Sequence, residues 1–373
     1  MKKIAFITAS PMTVKAFLLP FIKEIEKSYE IHVISNWHGD EDFLPANVKM
    51  IRIQIQREPS IFDDLVSLIK LVGILKVEKY DIVHTFTPKA GFIGQIAAWL
   101  SRVELRFHTF TGQVWATQTG FKRFLLKSLD KLTASFTTSV LVDSPSQQSF
   151  LIKNKIVTAV KSGVLGKGSI SGVNLSKFQF SQEKRDNIRA ELQLKDGEFV
   201  FLYAGRLKKD KGIPELLSAY RNVAKKVSAV LVIVGADEDG LLSEVNHTDG
   251  VIFCGFTDDI VAYFSAADLL CLPSHREGFG NVVIEAAACG LPTLASLIYG
   301  LSDAIVDNET GVLHQVEDAA DIEEKMLNLC QNKELLKRMS ERALKRVHSE
   351  FSERLIVDEF IKFYEHEQSR LSQ

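Results

Sequence analysis

The stretch "EFVFLYAGRLKKDKGIPELLSAY", residues 198–220, contains one complete structural unit. An apolar run ends at Gly205, Arg206 and Lys211 flank a polar loop, and Gly212-Ile213-Pro214 opens a helix. Proline near a helix start is favourable because its missing N–H has no partner to lose there. Strand, loop and helix in this order are the repeating element of a parallel α/β sheet covered on both faces. The rest of the chain repeats it. Runs at 3–10, 29–36, 48–55, 80–87, 105–112 and 139–145 read as strands, with amphipathic segments such as 15–28 and 61–79 between them. A Gly- and Ser-rich segment, "GVLGKGSISGVNLSKFQF" (163–180), interrupts the pattern. It then resumes at 198–206, 229–237, 250–256, 268–274 and 291–296, and from about Ala319 the chain reads as helical. Two αβ domains joined near residue 170 are expected, with ligand bound beyond the carboxyl ends of the strands, in the cleft between domains.

Composition supports an ordinary globular protein. The 373 residues are 46% hydrophobic and 25% charged, enough for two cores. No apolar stretch reaches a membrane span; "LIKLVGILKV" (68–77) is broken by Lys70 and Lys76. The start, "MKKIAFITAS", stops at polar Thr8 and Ser10 and reads as a buried strand rather than a signal peptide. Cys254, Cys271, Cys289 and Cys330 stand singly, without metal-ligand spacing, as expected of reduced thiols in a cytoplasmic protein. The net charge of −2 conceals +8 on residues 1–175 and −10 on the remainder. The basic half suggests an anionic partner; unrelated surface drift is the alternative. "GKGS" (166–169) follows no strand and opens no helix, so it is a poor dinucleotide fingerprint.

Arg206 and Lys211, at a strand's carboxyl end beside a helix start, form a plausible diphosphate site; a solvated basic loop is the other reading. "SHREGFGNVVIEAAACGLP" (274–292) follows another strand end and so lies on the same rim. Gly278 and Gly280 let the backbone N–H groups of 278–281 turn towards an anion at a helix running from about Asn281. Glu285 falls near that helix's first turn, where the dipole favours a carboxylate. A carboxylate accepts from two hydroxyls at once, which suits the vicinal diols of a sugar or ribose. Capping explains one of Glu277 and Glu285, but not Glu, Gly, Gly and Glu in this order.

The pair Glu277…Glu285, preceded by "GRLKKDKG" (205–212) and followed by "GLP" (290–292), resembles the retaining glycosyltransferases of family 4, which have the GT-B fold. The resemblance covers nearly the whole chain and implies two Rossmann-like parallel-sheet domains facing each other across a cleft. Residues 1–172 would bind acceptor and 173–355 the nucleotide sugar, with a C-terminal helix, 356–373, packing back on the first domain. It implies that Arg206 and Lys211 stabilise the departing diphosphate, that Glu277 contacts the transferred sugar and that Glu285 holds the ribose. Backbone groups of Phe279, Gly280 and Asn281 would assist the phosphates. Gly235, in "VGAD", and Phe256 and Thr257, in "GFTDD" (255–259), would lie near the nucleoside. Relatives often carry a glycine pair in the first loop; here Met12 and Thr13 occupy that place. His84 and His108 are read as strand-end residues pointing into the cleft, His108 at the reacting centre; a buried structural histidine is the alternative for both. Lys89, Thr111 and Gly112 are candidate acceptor contacts.

The resemblance also implies same-face transfer, in which the leaving phosphate oxygen takes the acceptor proton. The donor is expected to be a UDP-hexose or UDP-N-acetylhexosamine. No cofactor and no metal are expected, although Asp40-Glu41-Asp42 and Asp237-Glu238-Asp239 are acidic triplets of the kind that can bridge a metal. The partners are then the nucleotide sugar and a saccharide acceptor, expected to be lipid-linked, in assembly of a bacterial polysaccharide such as O-antigen or capsule. No nucleic-acid partner is expected. Rival readings are a sugar-nucleotide 2-epimerase of the same fold and a silent nucleotide-sugar-binding subunit. "GFKRFLLKSLDKLTASF" (120–136) would form a basic amphipathic helix. Such a helix could lie on an anionic membrane at the cytoplasmic face, or pack on the sheet with its lysines reaching water.

Overall fold

The computed structural model describes residues 1–39, 42–55 and 60–371. Asp40 and Glu41 of the first acidic triplet lie outside the described residues. By its internal contacts the chain divides into two units. One comprises Met1–Ser171 with Glu353–Gln373, the other Gly172–Ser352. The last helix, Glu353–Leu371, therefore starts three residues before the expected boundary and belongs to the N-terminal unit.

The N-terminal unit is built on β1 (Lys2–Ile7), β2 (Tyr29–Ser35), β3 (Lys49–Arg52), β4 (Ile82–Phe86), β5 (Leu105–Phe110), β6 (Ser139–Val142) and β7 (Ser162–Val164). All pairings are parallel, in the order β3-β2-β1-β4-β5-β6-β7. The C-terminal unit uses β8 (Phe199–Ala204), β9 (Ala229–Val234), β10 (Val251–Gly255), β11 (Leu269–Leu272), β12 (Thr293–Ser296) and β13 (Gly311–His314). Its order is β10-β9-β8-β11-β12-β13. In each sheet the third strand lies outermost, the first is central, and the order reverses beside it. This is the doubly wound Rossmann order, whose ligand-binding crevice forms where the direction reverses. Those switch points lie between β1 and β4 in one unit and between β8 and β11 in the other.

Central strands are apolar throughout because both of their faces are covered. In β8 and β9, residues 200–204 and 229–234 are all buried. The C-terminal helix closes the N-terminal core: Phe360 stacks on Phe21 at 4.3 Å, and Ile356, Val357 and Tyr364 are buried with it. β7 overlaps the start of the Gly- and Ser-rich segment, and β13 falls outside every strand expected from the sequence. Among the described residues, no helix is long and apolar enough to cross a membrane.

Candidate active site

In the C-terminal unit the loops after β8 and β11 meet at the switch point. Gly212, at φ +72°, lies so close to the end of β11 that an added Cβ would sit 2.0 Å from the Pro273 oxygen. That contact draws Lys211 towards the 274–280 turn. Lys211 Nζ lies 2.5 Å from Glu277 Oε1, and Ser274 Oγ donates to the same oxygen at 2.9 Å. Gly280, at φ +86°, precedes the helix Asn281–Ala288, a conformation strained for any residue with a Cβ. Phe279 is buried against Phe351, with ring centroids 5.2 Å apart. Its side chain therefore anchors the turn.

Glu285 sits one turn into this helix, just past the first turn, which itself holds no acid. Burial pushes its carboxyl up to about 7, with the charge of Lys177 opposing. Arg206 is half-exposed, and its Nη1 lies 3.1 Å from Glu238 Oε2, which Lys208 Nζ also approaches at 3.2 Å. The second acidic triplet is thus engaged by the protein. Asp237 accepts from the N–H groups of Asp239, Leu241 and Leu242, and Asp239 accepts from Lys209 N. These bonds lace the β8 loop to the β9 loop. Gly235 belongs to the same seam, since a Cβ there would sit 1.8 Å from Gly205 O. Phe256 is exposed after β10, and Thr257 Oγ1 accepts from Asp259 N. Ser274 was not singled out from the sequence; Glu238 was named only as part of an acidic triplet, because its partners Arg206 and Lys208 are about thirty residues away.

A groove of about 920 Å³ in the same unit lies at the opposite end of the strands, lined by Phe199, Asp268 and Pro292 among others. Rossmann units bind ligands at the carboxyl ends of their strands, so the Lys211–Glu277 rim, not this groove, is the candidate site.

In the N-terminal unit the structure corrects the reading of both histidines. His108 is inside β5, 1% exposed, with Nδ1 2.8 Å from Thr85 Oγ1. The helix Pro88–Leu100 passes so near that a Cβ on Gly91 would lie 2.3 Å from the ring. Burial pushes the imidazole down to about 3. His84 is fully buried, its two ring nitrogens 2.7 Å from Tyr364 Oη and 2.8 Å from Thr109 Oγ1. Desolvation holds it well below the ordinary histidine range. Neither points out of a strand end, and both are neutral core groups.

The residues that do follow β5 are Thr111 and Gly112, the former half-buried. Lys89 Nζ pairs with Asp64 at 2.7 Å. Thr13 closes a first turn, its N–H donating to Ser10 O, while Met12 is exposed beside it. Thr87, after β4, adopts φ +68° and ψ 147° with its hydroxyl buried and unpartnered. For a β-branched residue this backbone is strained, a feature that gathers at functional rims.

Residues 184–346 match the family described as "Glycosyl transferases group 1", and residues 3–144 the family "Glycosyl transferase 4-like". The capsular polysaccharide biosynthesis glycosyltransferase CapM of Staphylococcus aureus is 32% identical over 91% of this chain and 90% of its own length. An Escherichia coli protein, UDP-Gal:alpha-D-GlcNAc-diphosphoundecaprenol alpha-1,3-galactosyltransferase, is 31% identical over 78% of each chain. HepE of Anabaena, crystallised with UDP and glucose, superposes with a TM-score of 0.81 at 19% identity, covering 98% of this chain and all of that one. At that identity the superposition shows a shared fold.

Proposed function

The chain belongs to the group 1, family 4-like glycosyltransferases of GT-B fold, a hexosyltransferase by kinship, and from that premise we propose retaining, metal-independent transfer from a UDP-sugar to a lipid-linked saccharide in bacterial polysaccharide assembly. The observation that carries the reading is Lys211 and Glu277 meeting at the β8–β11 switch point, beside Arg206 and the start of Asn281–Ala288. A diphosphate placed there meets a guanidinium, an ammonium and helix N–H groups together. In this reading Lys211 turns from Glu277 to the diphosphate, and the Glu277 carboxylate accepts from hydroxyls of the sugar instead. The bond from C1 to the diphosphate oxygen breaks, and the acceptor oxygen bonds to C1 on the same face. Its proton passes to the departing phosphate oxygen. The cations stabilise the charge that develops there, which is where such groups contribute most. Glu285 would accept from the ribose hydroxyls. The E. coli relative's named donor supports UDP-galactose as the first sugar to try, and its named acceptor supports a diphosphate-linked lipid.

The test is UDP release from UDP-Glc, UDP-Gal, UDP-GlcNAc and UDP-GalNAc, with a membrane extract as acceptor source, with and without EDTA. Release from one donor, indifferent to EDTA and lost in Glu277→Ala, is the expected result. Loss with EDTA would overturn metal-independent transfer, and an inverted anomer in the product would overturn retention.

A further inference from the structure

Two helices of the N-terminal unit, both packed on Pro88–Leu100, are apolar on the side that faces away from the core. The helix Ile61–Glu78 buries Ser67, Leu71 and Leu75 inward. It nevertheless presents Phe62, Leu65 and Ile69 outward, at i, i+3 and i+7. The helix Gly120–Phe136 buries Asp130, Thr133 and Ala134 and presents Phe121, Phe124 and Leu125 outward. These six side chains are between 46% and 78% exposed. A surface helix needs only one apolar stripe, and a second one calls for an occupant.

Topology places both stripes at one end of the sheet. The strands are parallel, so each connecting helix runs back against them and starts at their carboxyl ends. Both helices pack on Pro88–Leu100, one on either side, so their first turns stand on the rim that carries Thr87, Thr111 and Gly112, roughly 20 Å apart at ordinary helix spacing.

We infer that these two helix starts form a two-footed landing surface for an anionic lipid bilayer. Charge selects this occupant. The sole acid of Gly120–Phe136, Asp130, is buried, accepting from Trp115 Nε1 at 2.7 Å, while Lys122 and Lys131 are exposed. Lys70 is exposed beside Ile69. The acids at the start of the other helix are drawn onto the protein, Asp63 to Ser60 and Asp64 to Lys89. Apolar side chains at membrane depth ringed by lysines are how an interfacial helix binds lipid. The N-terminal half's +8 acts in the same sense. The surface rests on the proposed lipid-linked acceptor for its purpose, since it would set the acceptor rim at the bilayer, but not for its test.

Flotation of the full chain is measured with phosphatidylcholine vesicles and with vesicles containing phosphatidylglycerol. Wild type is expected to float with the latter. The double variants Phe62→Ser/Ile69→Ser and Phe121→Ser/Phe124→Ser are each expected to partition about tenfold or more weakly. Lys122→Glu/Lys131→Glu should lose the preference for anionic lipid. Hydrogen exchange on the unmodified protein removes any dependence on variant folding: vesicles should protect both 61–69 and 120–126. Protection of only one segment, or flotation indifferent to Phe62→Ser/Ile69→Ser, overturns the two-footed surface. So does burial of these residues in a dimer, seen as a mass by light scattering that halves in the variants. UDP release in solution reports separately on the transferase reading.

Discussion

Lys211 Nζ and Glu277 Oε1 are 2.5 Å apart across two loops that the sequence separates by sixty-six residues. Their side chains are largely enclosed, at 15% and 18% exposure, so the pair is held rather than solvated. Lys211→Ala would remove the ammonium partner of the Glu277 carboxylate and keep the Ser274 Oγ bond. We expect kcat to fall about 10²–10³-fold, the range for removing a preorganised transition-state donor. UDP affinity should weaken with it, as isothermal titration would show.

Glu238 pairs with both Arg206 and Lys208 and offsets one of their two charges. Glu238→Gln should raise the local positive potential, so UDP binds a few-fold more tightly at low salt, and the gain should fade as salt screens it. Weaker binding at every salt concentration would mean that Glu238 instead holds Arg206 in its working position.

Glu285 is raised to about 7 by burial. An ionised carboxylate is the stronger acceptor for ribose hydroxyls, so UDP affinity should rise between pH 6 and 8. Glu285→Gln should bind more weakly and show a flat profile across that interval. A wild-type profile as flat as the variant's would remove Glu285 from the nucleotide site.

His84 and His108 are bases whose folded pKa values are depressed. Below the ordinary histidine value the unfolded chain takes up protons that the folded chain refuses. Stability is therefore full above about 6.5 and falls as pH drops, by about 1.4 kcal/mol per pH unit for each histidine still neutral in the fold. For His108 that window runs down to about 3. Thermal unfolding at pH 7 and pH 5 should show the loss, and a neutral replacement that keeps the Thr85 contact, His108→Asn, should reduce the slope.

Gly235→Ala would drive a Cβ into Gly205 O. Backbone on both sides of the seam cannot yield cheaply. We expect destabilisation of about 3 kcal/mol or more, read as a lowered denaturation midpoint.

The alternation of apolar runs with helical patterns disclosed both sheets because strands buried on two faces are apolar along their whole length. β7 escaped because "SGV" runs into a Gly- and Ser-rich segment that interrupts the alternation, and β13 because "GVLH" stands between polar stretches just before the chain turns helical. The rim where Lys211 meets Glu277 was legible as a place: Arg206, Lys211, Glu277 and Gly280 follow strand ends, and strand ends are marked by polar and glycine residues. The histidines were read as strand-end residues although each lies two residues inside its strand, β4 ending at Phe86 and β5 at Phe110; nothing in the local sequence shows that Gly91 and Tyr364 close over their rings. Pairings such as Lys211 with Glu277, or His84 with Tyr364, span distances in sequence over which periodicity carries no information.

The C-terminal unit enters the chain at Gly172 and leaves it at Ser352, where Val173 N donates to Phe351 O at 2.8 Å. Its two ends are thus joined side by side, and the N-terminal unit resumes with the helix that carries Phe360 and Tyr364. The architecture is that of an insertion: the C-terminal unit is spliced into the chain of the N-terminal one. A chimaera exchanging 172–352 with a relative's segment should keep the host's core intact and change which sugar is handed over. A simple cut at residue 172 would strip Phe21 of its stacking partner and take the Tyr364 hydroxyl from His84.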